Sequence, residues 1–406
     1  MIELMTSICL VKTPVPELQD DRLDPPMGLL YLGTVLKQAG YEVKILDLSG
    51  IPEDDWEFPE ADWYGFSTYT ASYNRTVRIK ELVEELHPDV KTVAGGPHAS
   101  AMPMSTSMDF DYVIVGEGES ALLELVSLGQ GEAIIHGHKM SINLIPAPDY
   151  SLVDVSSYTR RYQGKPSFQI FTSRGCPYQC GFCSKLPGGH VMRRRSTGAV
   201  VREILDIRKR YGDVSFRFKD DLFASNLFSL QCLKDRDLDL QYSCNVRADY
   251  KEGLPELLAA TGCKTACIGI ESGSDRVLTS MNKRTSREQN LRAIKELQEV
   301  GIDVLAWLVI GYPGETWETF YETISFLEEA QPDIVRAYPL IPYPGTPVYE
   351  QVLILDEDFD HYFYIHGNNE TGFVYQTPEL PRSEIMGMWN TMNRYLRKFR
   401  TRVEGS

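Results

Sequence analysis

Thr172-Ser-Arg-Gly-Cys176-Pro-Tyr-Gln-Cys180-Gly-Phe-Cys183 sets three cysteines in a C-x-x-x-C-x-x-C spacing at the end of an apolar, strand-like run, Phe168–Thr172. A loop at a strand end can wrap three thiolates around one metal cluster. Three thiolates satisfy three irons of a 4Fe–4S cube and leave the fourth open to a substrate, as an unfilled position does in other catalytic metal sites. The plain alternatives are a zinc site or unligated core cysteines. Zinc would want a fourth ligand; none is adjacent, and His190 is the nearest candidate.

Downstream, strand-like runs recur at Val214–Phe218, Gln241–Val246, Thr265–Ile270, Val304–Ile310 and Ile334–Leu340. Helical patterns at Ala199–Arg210, Pro255–Thr261, Arg287–Val300 and Trp317–Glu329 lie between several of them. Six strand–helix units predict an incomplete (β/α)6 barrel over residues 166–350, with its chemistry at the carboxyl ends of the strands. The tail, 351–406, holds an aromatic patch (Phe359, Tyr362, Phe363, Tyr364) and a helical stripe of Ile385, Met388, Trp389, Met392, Leu396 and Phe399. That stripe suits a helix packed on the barrel.

Upstream, Ile8–Lys12, Glu42–Asp47, Trp63–Ser67, Lys91–Ala94 and Tyr112–Val115 read as strands. Helical patterns at Gly28–Ala39, Thr76–His87 and from Ser120 alternate with them. This predicts a doubly wound α/β domain of flavodoxin-like type over residues 1–128, with its ligand at the strands' carboxyl ends. Residues 129–165 read as a connector, because Pro146 and Pro148 bias their neighbours away from helix.

The chain has 41 basic and 57 acidic residues, a net charge of −16, which argues against tight binding to long nucleic acid. No signal peptide is read in Met1–Ser7, and the longest apolar runs are too short to span a bilayer. The expected compartment is the cytoplasm, where the eight cysteines stay reduced and a cysteine cluster means metal or catalysis. Cys263 and Cys267 repeat a C-x-x-x-C spacing without a third thiol nearby and read as a buried reduced pair; Cys9, Cys232 and Cys244 read as small core residues.

The cysteine spacing resembles the signature of the radical S-adenosylmethionine (SAM) superfamily. The resemblance implies a cluster on Cys176, Cys180 and Cys183 whose open iron chelates SAM, electron transfer into SAM, and hydrogen abstraction by a 5′-deoxyadenosyl radical. Further segments match in order: Phe218-Lys-Asp220-Asp221-Leu-Phe, Asn245-Val-Arg247-Ala-Asp249, Ile268-Gly-Ile-Glu271-Ser272-Gly-Ser, and Ile310-Gly311-Tyr-Pro-Gly-Glu315-Thr. The implied SAM contacts are Phe182 by the adenine, Glu271 and Arg247 near the ribose and methionyl ends, and Asp220, Asp221, Ser272 and Gly311. Physically, a carboxylate suits a ribose diol and a guanidinium suits a carboxylate. Taken singly, Asp220 or Asp221 also suits a helix cap, and Gly314 a turn.

The first domain resembles the cobalamin-binding domain of a large radical SAM subclass. The matching residues are Asp24-Pro-Pro-Met-Gly28-Leu-Leu-Tyr-Leu, Gly95-Gly96-Pro97-His98-Ala and Val115-Gly116-Glu117-Gly118-Glu119. The turn Ser67-Thr-Tyr69-Thr-Ala-Ser72-Tyr73 is expected against the lower face of the corrin. The Asp-x-His-x-x-Gly motif that supplies an axial histidine elsewhere is missing, so His98 is not expected to ligate cobalt. A scaffold domain that has lost its ligand is the alternative.

The resemblance implies a cobalamin-dependent methyltransferase acting on an unactivated carbon of a small molecule, fed by an external one-electron reductant of flavodoxin or ferredoxin type. Two alternatives stand beside it: a SAM- and cobalamin-using enzyme that forms, opens or oxidises rings, and an iron–sulfur electron carrier or sensor.

Overall fold

Ile8, Cys9, Leu10 and Val11 are each at most 1% exposed, so the first strand is covered on both faces. That is the condition of a strand inside a parallel sheet clad by helices. In a computed structural model, which describes residues 6–15, 18, 20–184, 189–223, 227–362 and 373–397, this strand lies within a six-stranded parallel sheet. The strands are β1 (Ser7–Lys12), β2 (Glu42–Asp47), β3 (Trp63–Ser67), β4 (Lys91–Gly95), β5 (Tyr112–Val115) and β6 (Ile134–His136), in the order 2-1-3-4-5-6.

Alternate side chains sort to opposite faces. Ile8 and Leu10 join Leu29 and Leu36 of helix Met27–Gln38 and Leu122 and Leu125 of helix Glu119–Leu128. Cys9 and Val11 join Ile79 and Val83 of helix Tyr73–Leu86. The order reverses between β1 and β3, which opens a crevice at the carboxyl ends of those strands. The expected connector departs from its reading at both ends: β6 extends the sheet beside β5, and Arg161–Tyr162 pairs antiparallel with the strand that follows.

The second sheet holds all six expected parallel strands: Lys165–Ile170, Ser215–Phe218, Tyr242–Val246, Cys263–Glu271, Asp303–Ile310 and Ile334–Pro339, side by side in chain order. On Asp303–Ile310, Val304, Ala306, Leu308 and Ile310 are buried in the core shared with helices Arg287–Glu299 and Trp317–Ala330; the intervening residues face the concave side. Helices Leu227–Lys234 and Asp275–Ser280 add to the four expected. The last helix, Arg382–Leu396, packs Ile385, Met388, Trp389, Met392 and Leu396 inward against the final strands. Phe363, Tyr364 and Phe399 lie outside the described residues. No helix among the described residues is long and apolar enough to cross a membrane.

Asp24, ahead of the first helix, ties the sheets together. It accepts from Arg160 at 2.8 Å and from Arg217, on the second barrel strand, at 3.0 Å. Burial opposes its ionisation, but the Arg160 hydrogen bond and the Arg217 charge win and hold its carboxyl below the usual range. The group thus contributes stability that is complete above the unfolded carboxylate range and is lost as pH falls through its folded value. Asp24→Ala leaves two half-buried guanidinium groups without their anion. It is expected to lower stability by about 2 kcal/mol, between exposed and fully buried pairs, as read from the urea midpoint of unfolding.

Candidate functional site: a cysteine loop facing an interdomain cavity

The cysteine loop leaves the first barrel strand under tight control. Asp220, fully buried, accepts from the Thr172 N–H and hydroxyl and from the Ser173 hydroxyl. Burial pushes its carboxyl up to about 6 against the pull of those donors. Ser173–Arg174 then pairs antiparallel with Arg193–Arg194, and the Cys176 N–H donates to Gly189 O at 3.2 Å.

The middle of the loop is clamped from the barrel. Gly181 donates to Met281 O at 2.8 Å and accepts from Val348 N at 2.9 Å. A Cβ built on Gly181 would lie only 2.1 Å from the Tyr312 hydroxyl, so no side chain fits there. Tyr312 Oη is itself buried with no hydrogen-bond partner among the described residues, and burial and the nearby Cys180 push its pKa up to about 12.

Arg247 lies against Cys180, with Nη1 3.8 Å from Sγ. Its guanidinium stacks 3.5 Å over Tyr178, pairs with Asp249 at 2.9 Å and donates to Lys283 O at 2.6 Å. Tyr178 in turn donates to Asp249 at 2.9 Å. A fixed cation thus stands beside one of the three cysteines. Glu271 sits at the end of its strand, beyond a register shift, with φ +63. Such a conformation is strained for a residue with a Cβ and gathers at functional sites. Its carboxylate pairs with buried Lys283 at 2.7 Å, and Lys283 Nζ lies 5.8 Å from the Phe182 ring centre.

The described cysteines are all free. Among the described residues no three His, Cys, Asp or Glu side chains group closely enough for one metal ion. A cubane spreads its thiolates over separate corners and needs no such point of convergence. Three free thiols on one clamped loop with a guanidinium beside them therefore fit that donor requirement.

Other expected SAM contacts are engaged within the fold. The Ser272 hydroxyl lies 3.1 Å from Thr323 and accepts from Ser274 N. Gly311 donates to Glu315 and accepts from the Tyr375 hydroxyl. Burial raises the Glu315 carboxyl to about 7 against that Gly311 N–H. Asp221 lies on the wall of the cavity described next.

A cavity of about 310 Å3 separates the loop from the first sheet. One wall is the carboxyl ends of β3, β4 and β5; the other is Phe171, Ser173-Arg174-Gly175, Lys219 and Asp221. Its floor is apolar: Leu10, Phe66, Val93, Ile114 and Leu122. Of the expected corrin contacts, Tyr69, Gly95, Gly96, Pro97, Gly116, Glu117 and Gly118 line it. A Cβ on Gly96 would meet Thr68 O at 2.9 Å in a left-handed backbone, so the turn stays bare and close to any occupant. A bare-walled apolar slot at the strand ends fits the flat face of a corrin.

Ser72, Tyr73 and His98 are not among the lining residues. His98 stacks on Tyr73 at 4.0 Å, bonds Thr70 at 3.1 Å and meets the edge of Phe359 at 4.9 Å. Burial lowers its pKa to about 4, so it is neutral and packed. Tyr73 donates to Asp109 at 2.6 Å.

The two walls are joined by ions. Arg174 pairs with Glu119 at 2.7 Å and Glu117 at 3.7 Å, and Arg193 also bonds Glu117. Sequence reasoning missed Arg174, Arg193, Lys219, Tyr178, Lys283 and Tyr312. The Ser-Arg-Gly before Cys176 and the two acids of Gly-Glu-Gly-Glu were the available signal for the first pair; nothing local marks the others.

Gly181→Ala is expected to displace Tyr312 or the loop and lower the iron content of anaerobically reconstituted protein. Adding Tyr312→Phe removes the clashing oxygen and should restore most of it. Full iron in the single variant contradicts the clamp.

Residues 24–126 match the family model of the B12 binding domain, and residues 170–327 that of the radical SAM superfamily. An uncharacterized methyltransferase of Pyrococcus horikoshii is 29% identical, covering 81% of this chain and 78% of that protein. An anaerobic magnesium-protoporphyrin IX monomethyl ester cyclase of Rubrivivax gelatinosus is 27% identical over 92% of this chain and 74% of its own length. Among solved structures, the radical SAM methyltransferase TsrM of Kitasatospora setae, with cobalamin and a 4Fe–4S cluster bound, has a TM-score of 0.69 at 22% identity, covering 85% of this chain and 77% of that one. The cobalamin-dependent SAM radical enzyme OxsB, with aqua-cobalamin bound, has a TM-score of 0.67 at 18% identity, covering 96% of this chain and 62% of that one.

Proposed function

Since the chain belongs to the radical SAM superfamily and carries a B12-binding domain ahead of its barrel, we propose that it is a cobalamin-dependent methyltransferase acting on an unactivated carbon of a small molecule. One observation carries this reading: the turns expected to cradle a corrin and Ser173-Arg174-Gly175, the segment that leads into the first of the three cysteines, line opposite walls of one cavity. A scaffold domain would not need that arrangement.

Cys176, Cys180 and Cys183 would hold the cluster. Loaded, it supplies an electron to SAM, and the corrin supplies a carried methyl group. Everything else is the work of side chains. Arg247 lies against Cys180 and is itself locked by Tyr178 and Asp249, so it holds that part of the loop in place. Glu271 and Lys283 present a paired carboxylate and ammonium near Phe182, suited to the polar ends of SAM. Asp220 and Arg174 hold the start of the loop, and the apolar floor keeps water from the space between the cofactors.

The expected compartment is the reducing cytoplasm, with a flavodoxin- or ferredoxin-type protein as electron source. The acid balance of the chain favours a small molecule over nucleic acid.

Labelled SAM tests the reaction. With reductant and both cofactors, the reading predicts S-adenosylhomocysteine, 5′-deoxyadenosine and label in product. Deoxyadenosine without homocysteine or label means a non-methylating relative of the cyclase kind; no deoxyadenosine at all overturns the enzyme. Cys176→Ala, Cys180→Ala and Cys183→Ala are each expected to abolish SAM cleavage and most cluster absorbance.

A further inference from the structure

Strand Ser215–Phe218 turns Phe216 and Phe218 outward into the core, at most 1% exposed, and the alternate positions Arg217 and Lys219 inward. Arg217 and Arg160 share one carboxylate, Asp24. The Lys219 backbone N–H donates to Ile170 O at 2.9 Å, while its side chain reaches the cavity wall beside Ser173-Arg174-Gly175 and its ammonium has no hydrogen bond or ion pair to any described residue. Three cations thus face one anion in a chain whose net charge is −16.

The neighbouring acids do not close this gap. Glu117 and Glu119 are held by Arg174 and Arg193, and Asp220 turns to Thr172 and Ser173. Asp221 is exposed and has a partner of its own. Burial, and then the Arg217 charge, push the Lys219 ammonium below its ordinary range; burial, with Arg160 adding to it, does the same to Arg217. Positive charge that is half desolvated and under-compensated is a site waiting for an anion.

Lys219 stands on the barrel wall, opposite the turns expected to hold the corrin. Resting on the methyltransferase reading, we propose that Lys219, backed by Arg217, binds the anionic group of the substrate, a carboxylate or phosphate, in the space between the two cofactors. The substrate class is accordingly an organic acid or phosphate ester. Its charge, not only its shape, orients the carbon to be attacked.

The test titrates inorganic phosphate by calorimetry into anaerobic protein loaded with cluster, SAM and cobalamin, without reductant. Wild type should bind. Lys219→Met should weaken binding by about tenfold or more, the worth of one charge-assisted hydrogen bond. Lys219→Arg, which keeps the charge and reports on folding, should stay within about threefold. Lys209→Met, an exposed lysine elsewhere, should match wild type.

No phosphate binding by wild type, or equal binding by Lys219→Met, overturns the proposal. So does binding that disappears once cobalamin is loaded, since the site would then serve the corrin's own phosphate. Deoxyadenosine formation by wild type is scored separately; its absence fails the reaction reading while the titration still decides the anion site.

Discussion

Arg174 stands two residues ahead of Cys176, the first of the three cysteines proposed to hold the cluster, and bonds Glu119, the first residue of the helix that follows the Gly116-Glu-Gly turn. The pair is largely buried, so breaking it from one side leaves an uncompensated charge. Arg193, paired to Arg174 itself across a two-residue ladder, bonds Glu117 of the same turn. The position of the cysteine loop and the shape of the Gly116–Glu119 turn are therefore one constraint. These ion pairs join the two walls of the cavity.

Around that hinge of charge, the barrel supplies rigidity. Tyr178, Arg247 and Asp249 form a closed ring of contacts between the loop and the third strand end, and Gly181 is pinned by two backbone hydrogen bonds. Glu271 is held in a strained backbone by its pairing with Lys283. These devices fix the groups proposed to hold the cluster and SAM through neighbouring side chains, which is what precise positioning requires.

Much of this was legible in the sequence, and the reason is burial. Eleven strands are legible, most plainly where a buried parallel strand appears as a continuous apolar run, as in Ile8–Val11 and Val304–Ile310. Ile134–His136 and Arg161–Tyr162 escaped because two or three edge residues carry no periodicity. The three cysteines proposed to hold the cluster stand out by their spacing. His98 was misplaced because its neighbours Gly95–Pro97 do line the cavity, and only the helical turn after Pro97 swings it under Tyr73. Arg174 and Lys219 were invisible for a different reason: their meaning lies in partners, or the lack of them, far away in the chain.

If the cysteine loop and the turns at the first sheet's strand ends form one built site, the two metals should be lost together. Iron and cobalt counts on anaerobically loaded protein, comparing wild type with Arg174→Ala, decide this. The account predicts one four-iron cluster and one cobalt per wild-type chain, and loss of a large part of both metals in the variant. Full cobalt and full iron after removal of Arg174 would contradict it.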